Sequence, residues 1–248
     1  MTDPRIHERR VLVARQLGRR RRRRIVVAAV LVTLGLGGLA LVHSSVFGAK
    51  NVEVSGDRHT PRAAVLRAAG LIGAPPLVDL DAAAIASRVD RLPWVASATV
   101  DISWPSTVSI RLKERVPVAA VQLAAGGFAI CDPTGRVLED VATRPPSLPL
   151  VATGGPVGPP GSSLAPAERE LALVAADMPE SMVRLSRVIV SSSEGAEVLL
   201  ADGIKALVGS QASLTEKFVS LATVLHHGGL GGVAEIDLRV PSAPVLIR

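Results

Sequence analysis

The chain has 248 residues, 48% of them hydrophobic and 20% charged, so most of it has the composition to bury a core. Its net charge of +6 is confined to one end. Residues 1–24 hold ten arginines (Arg5, Arg9, Arg10, Arg15 and Arg19 to Arg24) against Asp3 and Glu8, and the remainder has 18 of the 28 basic residues against 20 of the 22 acidic ones. The basicity therefore excludes little about the folded part; no nucleic-acid-binding motif accompanies it, so the run reads as a topology signal in contact with anionic lipid. Next comes IVVAAVLVTLGLGGLALVHSSVF, Ile25 to Phe47, 23 residues without a permanent charge. At ~1.5 Å per residue a helix of that length reaches roughly 34 Å, enough for a hydrocarbon core of ~30 Å. A cleaved signal peptide is the alternative, but its apolar region is ~7–15 residues long, and the small-x-small candidate Gly38-Leu39-Ala40 lies inside the run. The segment is expected to be an uncleaved anchor, with a cytoplasmic tail at 1–24 and residues 48–248 outside.

Residues 48–116 read as one small domain. AKNVEVSG alternates through Val52 and Val54 as a strand and stops at Gly56. Thr60 reads as an N-cap followed by Pro61 at the first helical position, and Val65, Leu66 and Ala69 form the helix's apolar face before Gly70. Asp81 caps a second helix with apolar side Ile85, Val89 and Leu92, ended by Pro93. Val95 to Ser103 and Thr107 to Glu114 alternate as two strands, with Trp104-Pro105 in the turn between them. Both tryptophans of the chain, Trp94 and Trp104, fall here. They are expected to cover the small sheet, Trp94 turning back under the second helix. The alternative for Trp94 is an exposed protein-binding anchor.

Residues 117–248 begin a second domain with no linker, at the strand PVAAVQL. A hairpin turns at Asp132-Pro133-Thr134-Gly135. The stretch RPPSLPLVATGGPVGPPGSSLAP is expected to be an irregular loop. Leu164, Glu168, Leu171, Val174 and Met178 fall at helical spacing; LSRVIVSS is a strand; a hairpin turns at Asp202-Gly203. Leu214, Phe218, Leu221 and Leu225 mark a second helix, and VAEIDLRVPSAPVLIR supplies one or two final strands broken by Pro241 and Pro244.

The order β-α-α-β-β carrying LPWVASATVDISWPSTVSIRLKERVPVA resembles the POTRA domain of the bacterial FtsQ/DivIB cell-division family. The matching positions are Pro93, Trp94, Val95, Ala98, Val100, Trp104, Pro105, Glu114, Arg115, Pro117 and Ala119, and Gly56 at the end of the first strand is a structural position beside them. DPTGRVL, LADGIKALVG, the helical Lys217 and AEIDLRVPSAPV are similar to that family's β domain, so the resemblance covers nearly the whole chain. The arginine-over-lysine bias points to a GC-rich genome and an actinobacterial type. The resemblance implies an α+β fold: one transmembrane helix at 25–47, a POTRA domain at 48–116 and a mixed α/β β domain at 117–248. It implies a bitopic scaffold of the divisome at the septum, with no cofactor, nucleic acid or small-molecule substrate. Its implied partners are the FtsB- and FtsL-like bitopic proteins, contacted through a last strand at about Val240 to Ile247. The candidate contacts are Val240, Ser242, Ala243, Val245, Leu246 and Ile247, with Lys217 on the preceding helix. Some members place aromatic residues in this strand; here Val240, Pro241, Pro244 and Leu246 stand instead.

No catalytic constellation is expected. His226 and His227 are adjacent, so a helix points them about 100° apart, unlike a chelating pair at i, i+4. Asp79 and Asp81 have helix capping as the simpler reading for Asp81, and SSSEG at 191–195 lacks a matched base. Cys131, the only cysteine, sits in the apolar GGFAIC and reads as a buried, inert thiol. A membrane-anchored cell-wall enzyme or carbohydrate-binding module is the alternative, but it calls for a carboxylate pair, a nucleophile or exposed aromatics. A POTRA protein of outer-membrane assembly would need a long barrel that this chain is too short to contain.

Overall fold

The computed structural model describes residues 4–43, 47–228 and 230–248. The first three residues of the predicted basic tail and residues 44–46 of the predicted span lie outside the described residues. Helix α1, Pro4–Val42, runs through tail and span as one element of 39 residues. Its portion Arg23–Val42 is apolar enough and long enough to cross a membrane, and none of it is buried. The helix thus ends five residues before the predicted limit at Phe47, at a short polar stretch.

The chain separates into two compact units. The first comprises Met1–Glu53, Gly70–Ile85 and Val100–Ile110; the second comprises Val54–Ala69, Ala86–Thr99 and Arg111–Arg248. The secondary structure is mixed α+β. Strands β1 (Asn51–Ser55), β2 (Val95–Ser103) and β3 (Thr107–Glu114) form a three-stranded sheet in the order β1-β3-β2, with helices α2 (Arg62–Ala69) and α3 (Ala82–Val89) between β1 and β2 in the chain. Asp81 caps α3 as expected, its carboxylate accepting the N–H of Ala83 at 2.9 Å and of Ala84 at 3.3 Å. The start of α2 differs. The first helical bonds run to the carbonyl of Pro61, from Ala64 and Val65, so proline sits one place earlier than the first helical position. Gly56 takes φ +84°, and a Cβ there would overlap the Leu112 carbonyl, which explains glycine at the end of β1.

In the second unit, Glu114 and Arg115 at the end of β3 act as a clasp. The Glu114 carboxylate accepts the N–H groups of His59 (2.9 Å) and Thr60 (2.9 Å) ahead of α2, and the His59 ring lies 3.0 Å away. Burial works to raise the Glu114 pKa, but these hydrogen bonds, the His59 ring foremost, outweigh it and leave the carboxyl below its ordinary value. Arg115 donates its backbone N–H to Trp94 O, its Nε to Val95 O and its Nη1 to Asp132 Oδ2 at 2.6 Å. Asp132 also holds its own turn, accepting from Thr134 and from the N–H of Arg136.

A nine-stranded sheet fills the rest of this unit, in the order β12-β11-β10-β9-β8-β7-β4-β5-β6. Its strands are β4 (Ala119–Gln122), β5 (Phe128–Cys131), β6 (Val137–Val141), β7 (Leu150–Val151), β8 (Ser186–Ser192), β9 (Gly195–Leu200), β10 (Lys205–Gly209), β11 (Glu235–Asp237) and β12 (Val245–Ile247). Helices α4 (Pro166–Ala176), α5 (Glu180–Leu185) and α6 (Leu214–His227) share the main core with one face of this sheet. Two elements escaped the sequence reading. The proline-rich loop contains β7, which pairs in parallel with both β4 and β8 and so bridges the two halves of the sheet. Helix α5 is short and follows Pro179 directly.

The strands β4, β5 and β6 bury both faces. Ala119, Val121, Ala129, Cys131 and Val137 belong to the main core, whereas the alternate residues Ala120, Ile130 and Leu138 form a second cluster with Leu148 and Trp94. This corrects the expectation for Trp94. It is buried, at 8% exposure, but it covers the far face of β4–β6 instead of turning under α3, and its ring stacks on His59 at 4.3 Å. The physical reason lies in the backbone: α3 ends at Val89, and Pro93 occupies the second position of a turn closed by Val95 N–H to Leu92 O. Trp104 departs further. It is 55% exposed in the β2–β3 turn beside Pro105, with Phe47 as its aromatic neighbour at 5.7 Å. Cys131 is buried, its thiol 3.6 Å from Ala119 O, and burial foremost pushes its pKa up to about 12, which makes it unreactive.

Candidate functional site

A sheet has two edges, and these two differ. At β6 the outer edge is covered: Val137 donates to Ser162 O at 2.9 Å and accepts from Gly161 N–H at 2.8 Å. Its exposed positions are Glu139 and Asp140, and charge on an edge strand blocks further pairing. At β12 no charge stands on the strand. Val245, Leu246 and Ile247 are 54%, 45% and 45% exposed, an apolar surface left bare.

The register fixes which groups face out. β12 runs antiparallel to β11, with Glu235 opposite Ile247, Ile236 opposite Leu246 and Asp237 opposite Val245. Ile236 is fully buried in the main core, so Leu246 shares the helix-covered face, and Val245 and Ile247 point to the other. The Ile247 carbonyl accepts from Ala234 N–H at 2.8 Å and so faces inward; by alternation the N–H and C=O of Leu246 face the open side.

The strand is shorter than the predicted Val240 to Ile247. Val240 to Ala243 form a turn closed by Ala243 N–H to Val240 O at 3.0 Å. Pro241 sits at its second position, where a fixed φ is favoured and no donor is needed. The Ala243 donor is consumed in this turn, and Val240 is exposed on it. Ser242 instead lines an open groove of about 620 Å³ together with Pro241, Pro244 and the outer face of α6, chiefly Thr215, Val219 and Thr223. That helix face was missed. Its signal was Val219, an apolar residue outside the Leu214, Phe218, Leu221, Leu225 stripe, and it is 60% exposed.

Lys217 lies elsewhere than expected of a contact residue. It is buried at 2% exposure, and its ammonium donates to Val208 O (2.9 Å) and Ser210 O (2.8 Å) at the end of β10. Burial lowers its pKa by desolvation. A lysine at this place on the inner face of α6 ties the helix to the strand two in from the edge; it presents nothing to the surface. Next to it, Arg239 grips Asp237 through Nε and Nη2 (3.0 and 2.7 Å) and Glu194 through Nη1 (2.8 Å). The Arg239 hydrogen bond is the main reason the Asp237 carboxyl stays below its usual range. Gly209 at φ +70° leaves room for the Arg239 stem, which a Cβ would meet at 2.8 Å. His226 and His227 sit edge to face at the end of α6, with His227 Nδ1 2.7 Å from Thr223 O, and no group of three or more metal-ligating side chains occurs among the described residues.

Residues 47–115 match a family model described as POTRA domain, FtsQ-type, and residues 119–239 match one described as cell division protein FtsQ/DivIB, C-terminal. The turn and strand at 240–247 lie beyond that second match. The chain is 31% identical over 209 residues to the cell division protein FtsQ of Mycolicibacterium smegmatis, covering 84% of this chain and 60% of the relative. It is 32% identical over 241 residues to that of Streptomyces collinus, covering 93% and 90%, and 32% identical over 228 residues to that of Streptomyces venezuelae, covering 87% and 82%. The chain thus spans about 60% of the mycobacterial relative and nearly all of one streptomycete relative. Two successive family matches in one order, and a relative 32% identical over 93% of this chain and 90% of its own, show that the chain belongs to the FtsQ/DivIB family of bacterial cell-division proteins.

Proposed function

We propose that the protein is a single-pass scaffold of the division machinery that receives an extended segment of a partner along β12. The observation that carries this reading is the bare edge Val245-Leu246-Ile247, set against an opposite edge that is charged and covered. Strand addition supplies affinity through the backbone groups of Leu246, and side chains of the added segment reach the α6 groove for specificity. The partners are FtsB- and FtsL-like bitopic proteins, and the scaffold has no chemistry of its own. The domains divide at 48–116 and 117–248. The tail of ten arginines holds the N-terminus in the cytoplasm, α1 anchors the chain in the cytoplasmic membrane at the septum, and the folded parts lie outside.

Co-purification of an FtsB-like partner from membranes tests the binding reading. Leu246→Glu is expected to abolish recovery of the partner while the melting curve of the chain stays unchanged. Full recovery by that variant and by Val245→Lys moves the site off β12. A reporter active only outside the cytoplasm, fused after Arg248, tests orientation; activity of a cytoplasmic reporter there reverses it.

A further inference from the structure

The first compact unit carries a second bare apolar surface, and it lies where the chain leaves α1. Ala49 N–H bonds Pro75 O at 2.9 Å, Gly48 bridges to Pro76, and Asn51 N–H bonds Ser106 O at 3.0 Å. Phe47 meets Trp104 at 5.7 Å, and His43 at the end of α1 reaches Asp79 at 3.4 Å. The residues just after the helix are therefore bonded to two loops, 71–79 and 103–106. On those loops Ile72, Val78 and Trp104 are exposed, at 67%, 45% and 55%. Residues 70–78 and 102–110 contain no charged side chain.

We propose that this end of the unit rests in the headgroup region of the bilayer, with Trp104, Ile72 and Val78 inserted beside the anchor. The inference depends on α1 spanning the membrane. Its occupant is lipid, and two observations select it. The patch is continuous with the anchor: Phe47 is five residues beyond Val42, at most ~17 Å of extended chain, and the His43–Asp79 contact shortens that reach. Trp104 is an exposed aromatic with a polar ring nitrogen, the side chain that prefers the membrane–water boundary. An apolar surface inserts roughly 5–10 Å at such a boundary. The absence of basic residues on the two loops makes anionic lipid unnecessary. The anchor then has a second point of attachment, which restrains the tilt of the unit against the membrane plane.

The test uses the full chain in vesicles of zwitterionic phosphatidylcholine, with or without bromine on the acyl chains close to the glycerol. Bromine quenches tryptophan on contact, and Trp94 is buried in protein. Wild type is expected to lose emission in brominated vesicles, Trp104→Phe to remove most of that loss, and Ile72→Asp, which keeps both tryptophans, to reduce it. Equal quenching of wild type and Trp104→Phe, or quenching of neither, overturns the proposal if both chains float with the vesicles. If neither chain floats, the anchor reading fails and takes this inference with it.

Discussion

Replacing Trp94 by alanine removes the largest side chain of the cluster on the far face of β4–β6, against which Phe128 and Val141 also pack. A tryptophan buries about 200 Å², and at ~25 cal/mol per Å² that is about 5 kcal/mol of transfer free energy as an upper figure. Its stacking on His59 at 4.3 Å adds ~0.5–1.5 kcal/mol where the pair is well ordered. The retained Cβ and partial collapse of the site reduce the sum, so the expected loss is ~3–5 kcal/mol, the range of large aromatic truncations. For a unit of this size each kcal/mol lowers the melting temperature by about 2–4 °C, so the shift is on the order of 10 °C. The assay is thermal and urea unfolding of the full chain in detergent, followed by circular dichroism. Location is tested separately by a double-mutant cycle with Leu138→Ala. Residues that share a cluster couple by ~0.5 kcal/mol or more, and residues in different cores add. A wild-type melt for Trp94→Ala refutes burial, and strict additivity with Leu138→Ala refutes the placement on β4–β6.

Leu246→Glu puts a charge where a partner strand would desolvate it, and partner affinity is expected to fall at least ~10-fold, about 1.4 kcal/mol, in a titration with the soluble segment of the partner. The folded-state pKa of Glu114 is depressed, so its stabilisation is complete above the ordinary value of 4.5 and is lost as pH falls through the lower folded value. Glu114→Gln should flatten stability against pH in that acid window, and an unchanged profile would remove Glu114 from the clasp. Lys217→Met leaves the carbonyls of Val208 and Ser210 without their donor and should cost ~1–3 kcal/mol in urea unfolding, with partner recovery intact well below the melt. Lost recovery with an unchanged melt would instead make Lys217 a contact.

Much of the fold was legible because periodicity reports burial. β2 and β3 follow from alternation through Val100 and Ile102 and through Val108, Ile110 and Leu112, α6 follows from its Leu214, Phe218, Leu221 stripe, and Asp81 announces α3. Periodicity does not report what an element is buried against. Trp94 was recognisable as a core residue, but only the tertiary contacts assign it to the far face of β4–β6. β7 has two residues, too few for any period, and prolines on both sides mask it. Val240 and Pro241 read as strand because an apolar residue before proline suits both strand and turn; the hydrogen bond from Ala243 decides it. Lys217 carried a charge in a helical pattern, and charge suggested surface. Its burial depends on two carbonyls at the end of β10 that no local pattern reveals.

The unequal edges of the nine-stranded sheet set its valence. A sheet open at both ends is a unit of a filament: each copy could add to the next, head to tail, without limit. Here one end is closed by Gly161, Ser162 and two acidic side chains, which under the proposed reading leaves the β12 end to accept a strand. Growth along the sheet therefore stops after a single addition. On that reading the protein makes one-to-one complexes through its sheet, and any larger assembly at the membrane is extended by the partner that it captures.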